Sequence, residues 1–125
     1  MSSTRQLYAL RGATTATANS REAISAAVSE LLDDLVTRNG LEGPQILSLT
    51  FSVTTDLDAC FPAAIARHRP GWDGVALLDC QQMAVAGDLE RCIRLLAHAW
   101  LEQPPRHSYL REAAKLRPDL AATAS

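Results

Sequence analysis

A change of hydrophobic period between residues 24 and 53 most narrows what this chain can become. Ile24, Ala27, Val28, Leu31, Leu32 and Leu35 recur at i, i+3, i+4, i+7, i+8 and i+11, the apolar stripe of an amphipathic helix. Asn19 followed by Glu22 reads as a capping box at its start, and Asn39-Gly40 as its stop. After Gly43-Pro44 the period falls to two. Leu47, Leu49, Phe51 and Val53 alternate with Ser48, Thr50 and Ser52, as in a strand with one buried face. At 125 residues there is room for a single domain, residues 1–125, so helix and strand must share one core.

The other elements are read from shorter signals. Arg5 to Leu10 is a short strand ending at Arg11-Gly12, with 14–17 as a loop. Asp56 or Asp58 can cap a helix running to about Arg67, which Pro70-Gly71 stops. The apolar run Val75 to Leu78 predicts a strand buried on both faces. Gly87-Asp88 is expected to open another helix with Leu89, Cys92, Ile93, Leu96 and Trp100 on its inner stripe, ended by Pro104-Pro105. Arg106 to Leu116 reads either way: Leu110, Glu112, Ala113 and Ala114 favour a helix, whereas His-Ser-Tyr-Leu could begin a strand. The order β–α–β–α–β–α–(β) predicts a mixed α/β sheet with helices packed against it. Such a sheet leaves edges and a broad apolar helix face uncovered, a problem that oligomerisation commonly resolves.

Composition removes several function classes. A net charge of −2 gives no electrostatic case for nucleic acid or an acidic membrane surface. Cys60, Cys80 and Cys92 lie in apolar contexts without a CxxC spacing, which reads as three buried, reduced thiols. The apolar run Leu7 to Leu10 is too short for a signal sequence or a membrane span, so a cytoplasmic location is expected. His68, His98 and His107 share no ligand spacing, so no metal is expected.

Four arginines carry the chemistry. Arg11, Arg67, Arg94 and Arg117 each sit at the edge of an apolar stretch, where a guanidinium can be held rigidly beside a pocket. Their planar donor forks match carboxylates, so a domain that gathers several is equipped to hold a small dianion. The plain alternative is an arginine-favouring composition, since Lys115 is the one lysine among the twelve basic residues.

The segments around these arginines decide between the two. They are Leu-Arg-Gly-Ala-Thr-Thr (10–15), Ser-x-Thr-x-Asp-Leu-x-Ala-x-Phe-Pro-Ala (52–63), Gly-Trp (71–72), Cys-Ile-Arg (92–94), Arg-His-x-Tyr-Leu (106–110) and Leu-Arg-Pro-Asp-Leu (116–120). In this order, over residues 7 to 120, the chain resembles the trimeric, mixed α/β class of chorismate mutase, distinct from the all-helical class. The resemblance implies an α/β (α+β) fold, a mixed sheet packed with helices, assembled as a homotrimer that forms a pseudo-α/β-barrel with three clefts between neighbouring subunits. It makes Arg106 onward a strand followed by a short C-terminal turn. It implies the rearrangement of chorismate to prephenate in aromatic amino acid biosynthesis, with no cofactor. By position, Arg94 would lie beside the ether oxygen of the substrate, and Arg11 and Tyr109 would hold a carboxylate. Phe61, Ala63, Arg67 and Leu116 would line or cover the cleft, and Arg117 would belong to a tail folding over the opening.

That reaction is a unimolecular pericyclic shift, needing neither nucleophile nor proton transfer. The protein selects the compact reactive conformer and stabilises negative charge growing on the ether oxygen as the C–O bond breaks. In the family, the strand after Gly-Trp ends in Cys, followed three residues later by a Glu that contacts the ring hydroxyl. Here those positions hold Asp79 and Gln82, and Ala64 replaces a lysine beside Phe-Pro-Ala. Gln82 can still accept from the hydroxyl but brings no charge. Three explanations compete: the carboxylate has moved to Asp79, the site is retuned for another chorismate-derived or enolpyruvyl compound, or the trimer binds a ligand without turnover. The catalytic set expected on the first explanation is Arg94, Asp79 and Gln82.

Overall fold

A computed structural model describes residues 4–122. The elements run β1 (Gln6–Thr15), α1 (Arg21–Asn39), β2 (Ile46–Val53), α2 (Pro62–Arg67), β3 (Ala76–Gln81), β4 (Cys92–Leu101), β5 (Ser108–Tyr109) and α3 (Pro118–Ala122). The strands form one sheet in the order β3-β2-β4-β1-β5. β4 lies antiparallel to β1 and β2, while β3 joins β2, and β5 joins β1, in parallel. The mixed α/β sheet expected from the sequence is therefore present.

The helix α1 covers one face of this sheet. Its stripe Ile24, Ala27, Val28, Leu31, Leu32 and Leu35 is buried throughout, against Leu10, Leu49, Phe51, Ile93 and Leu95. Its N-cap is Ser20, whose Oγ accepts from Ala23 N at 3.1 Å, in place of the expected Asn19–Glu22 box. Asn19 is used otherwise. Its Oδ1 accepts from Asp58 N and Ala59 N, and its Nδ2 donates to Asp58 Oδ1 at 2.7 Å. A hydroxyl suffices to cap, whereas the amide carries its acceptor and its donor on separate atoms and so staples the 54–61 loop from both at once. At the other end Gly40, at φ 59°, donates to Val36 O, the left-handed stop that Asn39-Gly40 predicts.

Five further expectations fail, each for a tertiary reason. Residues 92–101 form the strand β4 where the spacing of Leu89, Cys92, Ile93, Leu96 and Trp100 predicted a helix. Ile93, Leu95, Ala97, Ala99 and Leu101 alternate inward; Leu96 and Trp100 are apolar residues on the other, open face, and together the two sets imitate a helical period. The Val75–Leu78 run is not buried on both faces: β3 is an edge strand with Ala76 and Leu78 exposed. Only Cys92 is a buried thiol; Cys60 is half-buried, and Cys80 is exposed beside Leu78 on the edge. The Asp-capped helix begins later, at Pro62, and the 14–17 loop shrinks because Thr14 and Thr15 extend β1 against Ile93 and Cys92.

The ambiguous C-terminal segment becomes a two-residue strand, β5, followed by a 3-10 turn over Arg111–Lys115. The strand and short turn implied by the family resemblance are both present. Gly12 allows this, since a Cβ there would stand 3.1 Å from the Ser108 carbonyl oxygen. Arg111, at φ 54°, then ties the turn down by donating to Thr15 O and Glu30.

Candidate active site

The pleat sorts the site residues between two faces of one sheet. Paired residues point to the same side. Asp79 pairs with Phe51 and Phe51 with Leu95, so Asp79 belongs to the helix-covered face. Cys80 pairs with Ser52 and Ser52 with Arg94, which belong to the open face. Arg94 is thus on a strand, half-buried and held between two paired strands.

Around Arg94 the chain closes a cavity of about 380 Å³, lined by Arg11, Arg94, Leu96, Tyr109, Leu116 and Arg117. These residues come from β1, β4, β5 and the C-terminal segment. Arg11 is next to Gly12, which pairs with Ser108; Tyr109 pairs with Ala13. Arg11 N donates to His107 Nδ1 at 3.0 Å, fastening β1 to the segment before β5. Burial, and then the positive charges of Arg11 and Arg117, push the His107 pKa down and keep the ring neutral as an acceptor. Arg117 forks onto the Asp119 carboxylate at 2.9 and 3.1 Å.

Gln82 follows β3 and reaches the same side. Its N donates to Val53 O, and its Nε2 donates to Asp88 Oδ2 at 2.5 Å. Asp88 Oδ1 accepts from Leu89 N at 2.8 Å and faces Arg94 Nη2 at 3.5 Å. Two side-chain atoms here are buried without a hydrogen-bond partner, Gln82 Oε1 and Arg94 Nε. Buried polar atoms are normally paired, so an orphan acceptor and an orphan donor flanking one carboxylate call for an explanation. Arg94 also lies against Cys92, whose thiol pKa burial pushes up.

The remaining expected residues stand elsewhere. Phe61 and Asp79 line a separate cavity of about 920 Å³ with Ala64, Ile65, Cys80 and Arg21. Phe61 is 70% exposed, a large aromatic with nothing over it in the subunit. Asp79 Oδ1 accepts from Ala63 N at 3.0 Å, in the first turn of α2. Phe61, the N-cap of α2, makes no side-chain capping bond, so Asp79 supplies from β3 the acceptor that the helix lacks. Burial raises the Asp79 pKa, and the bond from Ala63 N partly opposes this. Arg67 is exposed in the last turn of α2. One chain therefore brings together Arg11, Arg94, Tyr109, Leu116 and Arg117, sets Gln82 beside Arg94 through Asp88, and keeps Phe61, Ala63, Arg67 and Asp79 apart from them.

Sequence reasoning missed Asp88 and His107. Asp88 does not open a helix as Gly87-Asp88 predicts; the signal is Gly87, which at φ 85° makes a turn. His107 lay within a recognised segment but carried no ligand spacing, and only the meeting of β1 with the 106–109 segment gives it a partner.

An α/β subunit with an arginine-lined cavity on the open side of its sheet has donor forks that match a small anion. The comparisons name the family. The profile of chorismate mutase type I matches residues 7–120. Chorismate mutase AroH of Thermus thermophilus is 42% identical over 116 residues, covering 89% of this chain and 93% of that protein. Its counterpart from Bacillus subtilis (strain 168) is 35% identical over 117 residues, covering 91% and 92%. A solved chorismate mutase from Clostridium thermocellum superposes with a TM-score of 0.79 at 40% identity, over 86% of this chain and 98% of that one. The chain belongs to the type I chorismate mutase family. Among the described residues no helix is long and apolar enough to cross a membrane.

Proposed function

We propose that this chorismate mutase converts chorismate to prephenate at the cavity where Arg11 and Arg94 converge, and that the site is completed by a neighbouring subunit of a homotrimer. The carrying observation is that cavity: two guanidiniums, a phenol and a third arginine gathered on one side of the sheet in a chain that matches the family over residues 7–120. Arg94, from the rigid centre of the sheet, meets charge growing on the ether oxygen. Because that charge is larger in the transition state than in the ground state, a fixed guanidinium lowers the barrier rather than merely binding substrate. Arg11 and Tyr109 hold a carboxylate, Leu116 closes the apolar side, and Arg117 belongs to the tail over the opening.

The division of residues between two cavities supports the shared site. Phe61 and Asp79 line a second cavity, separate from that of Arg94 within one chain, with Ala63 and Arg67 on the adjoining helix α2. A neighbour that laid its half-site on the arginine cavity would enclose the substrate from both sides. Leu78, Leu96, Trp100 and Leu7 spread apolar surface across the open face of β3, β4 and β1, a surface that soluble proteins cover with another subunit. Asp79 serves this half-site by holding the Phe61-Pro62-Ala63 turn to β3.

The test is loss of chorismate absorbance on mixing with purified protein. Turnover well above the uncatalysed rate is expected, with Arg94→Ala reducing kcat/KM by more than about a hundredfold. Arg94→Lys should fail badly too, because an ammonium does not reproduce the planar donor fork. An Arg94→Ala enzyme with most of its activity would refute this site; a wild-type protein that stabilises with chorismate yet never turns it over would favour the ligand-binding reading.

A further inference from the structure

The unusual residue Gln82 does not stand alone. Its Nε2 is committed to one oxygen of Asp88, whose other oxygen faces Arg94. A glutamine amide can present either end to a ligand, and a neutral acceptor in place of a carboxylate is poorly specified for that reason. An ionised carboxylate, by contrast, only accepts. Asp88 therefore decides the orientation of the amide: nitrogen toward itself, oxygen away. The oxygen it turns away is the buried, unpartnered Gln82 Oε1, and the guanidinium atom left unpartnered on its other side is Arg94 Nε.

We propose that Asp88 is a positioning residue for the mutase reaction. It fixes Gln82 as a hydrogen-bond acceptor for the ring hydroxyl of chorismate and holds Arg94 in register as donor to the ether oxygen. The inference rests on the chorismate reading given above. The substrate makes the demand: its hydroxyl and its ether oxygen are on adjacent ring carbons, so acceptor and donor must be held a few ångströms apart by one frame. Asp88 is anchored to supply that frame. Its Oδ1 is fixed by Leu89 N, its backbone N donates to Val85 O, and Gly87 turns the chain to bring it there. A charge-assisted bond from Nε2 also polarises the amide, increasing the negative charge on Oε1. The Gln82–Asp88 pair thus delivers through an amide part of the negative charge that a carboxylate at position 82 would present directly. Asp79 cannot do this within the subunit, being on the other face of the sheet and bound to Ala63 N.

Three measurements decide the matter. Asp88→Asn, which removes the charge and lets the Gln82 amide turn over, should lower kcat/KM about ten- to a hundredfold, the cost of losing orientation in a reaction of this kind. Combining Asp88→Asn with Gln82→Glu moves the carboxylate to the other end of the same hydrogen bond and should recover most of that loss. A purely structural Asp88 predicts a lowered melting temperature with kcat/KM unchanged in the folded enzyme, or a double variant no better than Asp88→Asn; either result overturns the proposal. The third readout does not depend on turnover. The Gln82 side-chain amide proton, followed by NMR and assigned by its loss in Gln82→Leu, should be shifted downfield and slow to exchange in the wild type and should revert in Asp88→Asn. An ordinary amide signal in the wild type would refute the geometry itself. If chorismate is not turned over at all while this amide is downfield, the functional reading fails and the pair stands. Should Asp88→Asn not fold, Asp88→Glu, which keeps the acceptor one methylene away, is expected to retain the downfield amide with intermediate kcat/KM; wild-type kcat/KM in that variant would count against positioning.

Discussion

The two faces of the sheet do opposite work with similar materials. The face under α1 is sealed, with Phe51, Leu49, Ile93 and Leu95 out of water and the hydroxyls of Thr14 and Ser108 buried beside them. The other face is open, and Arg94, His98, Leu96 and Trp100 alternate along the same strand that supplies the sealed core. A single strand, β4, thus serves the core with one set of residues and, in the function proposed above, chemistry with the next. The difference teaches why a guanidinium can be rigid and reachable at once: its backbone is fixed between β1 and β2 by the core beneath, while its side chain stays above the pleat, 39% exposed.

If the sealed face carries the stability, breaking it should cost most. Phe51→Ala removes a fully buried ring from the centre of the sheet and should destabilise the subunit by about 3–5 kcal/mol, read from urea unfolding. A loss below 1 kcal/mol would show that the contrast between the faces is overstated. The open face should respond differently. Leu78→Glu places a charge on its exposed apolar edge and should leave the far-ultraviolet circular dichroism of the subunit unchanged. Light scattering should then report monomers, and turnover should fall with the lost assembly. An intact trimer in that variant would mean that Leu78 is outside the contact.

Smaller effects sharpen the comparison at its margins. Asp79→Ala deletes the acceptor that caps α2 from across the sheet and should cost about 1 kcal/mol. Asp79→Asn keeps an acceptor for Ala63 N and should cost less. Because burial raises the Asp79 pKa, the charged form is disfavoured in the folded protein, so stability contributed here declines as pH rises from the ordinary carboxylate range through the raised value. Measured relative to Asp79→Asn, in which the contributions of His107 and the other carboxylates cancel, the wild type should lose stability between pH 4 and pH 7. A sharp fall in kcat with Asp79→Asn, at unchanged stability, would instead give Asp79 the charge-bearing role. The smallest effect belongs to His107. Its pKa is depressed in the folded state, so neutral His107 contributes stability that is complete above its unfolded value of about 6.5 and is lost as pH falls through the lower folded value. Protonation would remove the acceptor for Arg11 N. The melting temperature should drop between pH 6.5 and 5, and His107→Gln should flatten that drop.

How much could be read in advance follows from where each residue meets water. α1 and β2 were legible because each has one wet face and one dry face, so a single period stands out; it fails only at Leu47, which the irregularity between Ile46 and Ser48 turns outward to 40% exposure. β4 was not legible, because its second face is also apolar in Leu96 and Trp100, and the superposition of two alternating sets resembled a helix. β3 misleads for the same reason: an apolar run says that water is avoided, not what covers it. The flanking segments single out the arginines one at a time; the joining of Arg11, Arg94 and Tyr109 required β1 to pair with β4 on one side and β5 on the other.

The sequence by itself determined the mixed α/β class, the long helix and its sealed strand, and the segments that carry the family resemblance, since local period and chemistry are properties of neighbours in the chain. Only the tertiary structure decided that Asp79 caps α2 while Asp88, six residues past Gln82, holds its amide and faces Arg94. Both are single acidic residues in turn-rich or strand-end contexts, chemically alike in the sequence. What separates them is the pleat, which sends Asp79 toward Phe51 and Gln82 toward Arg94 and so gives two equivalent carboxylates different partners.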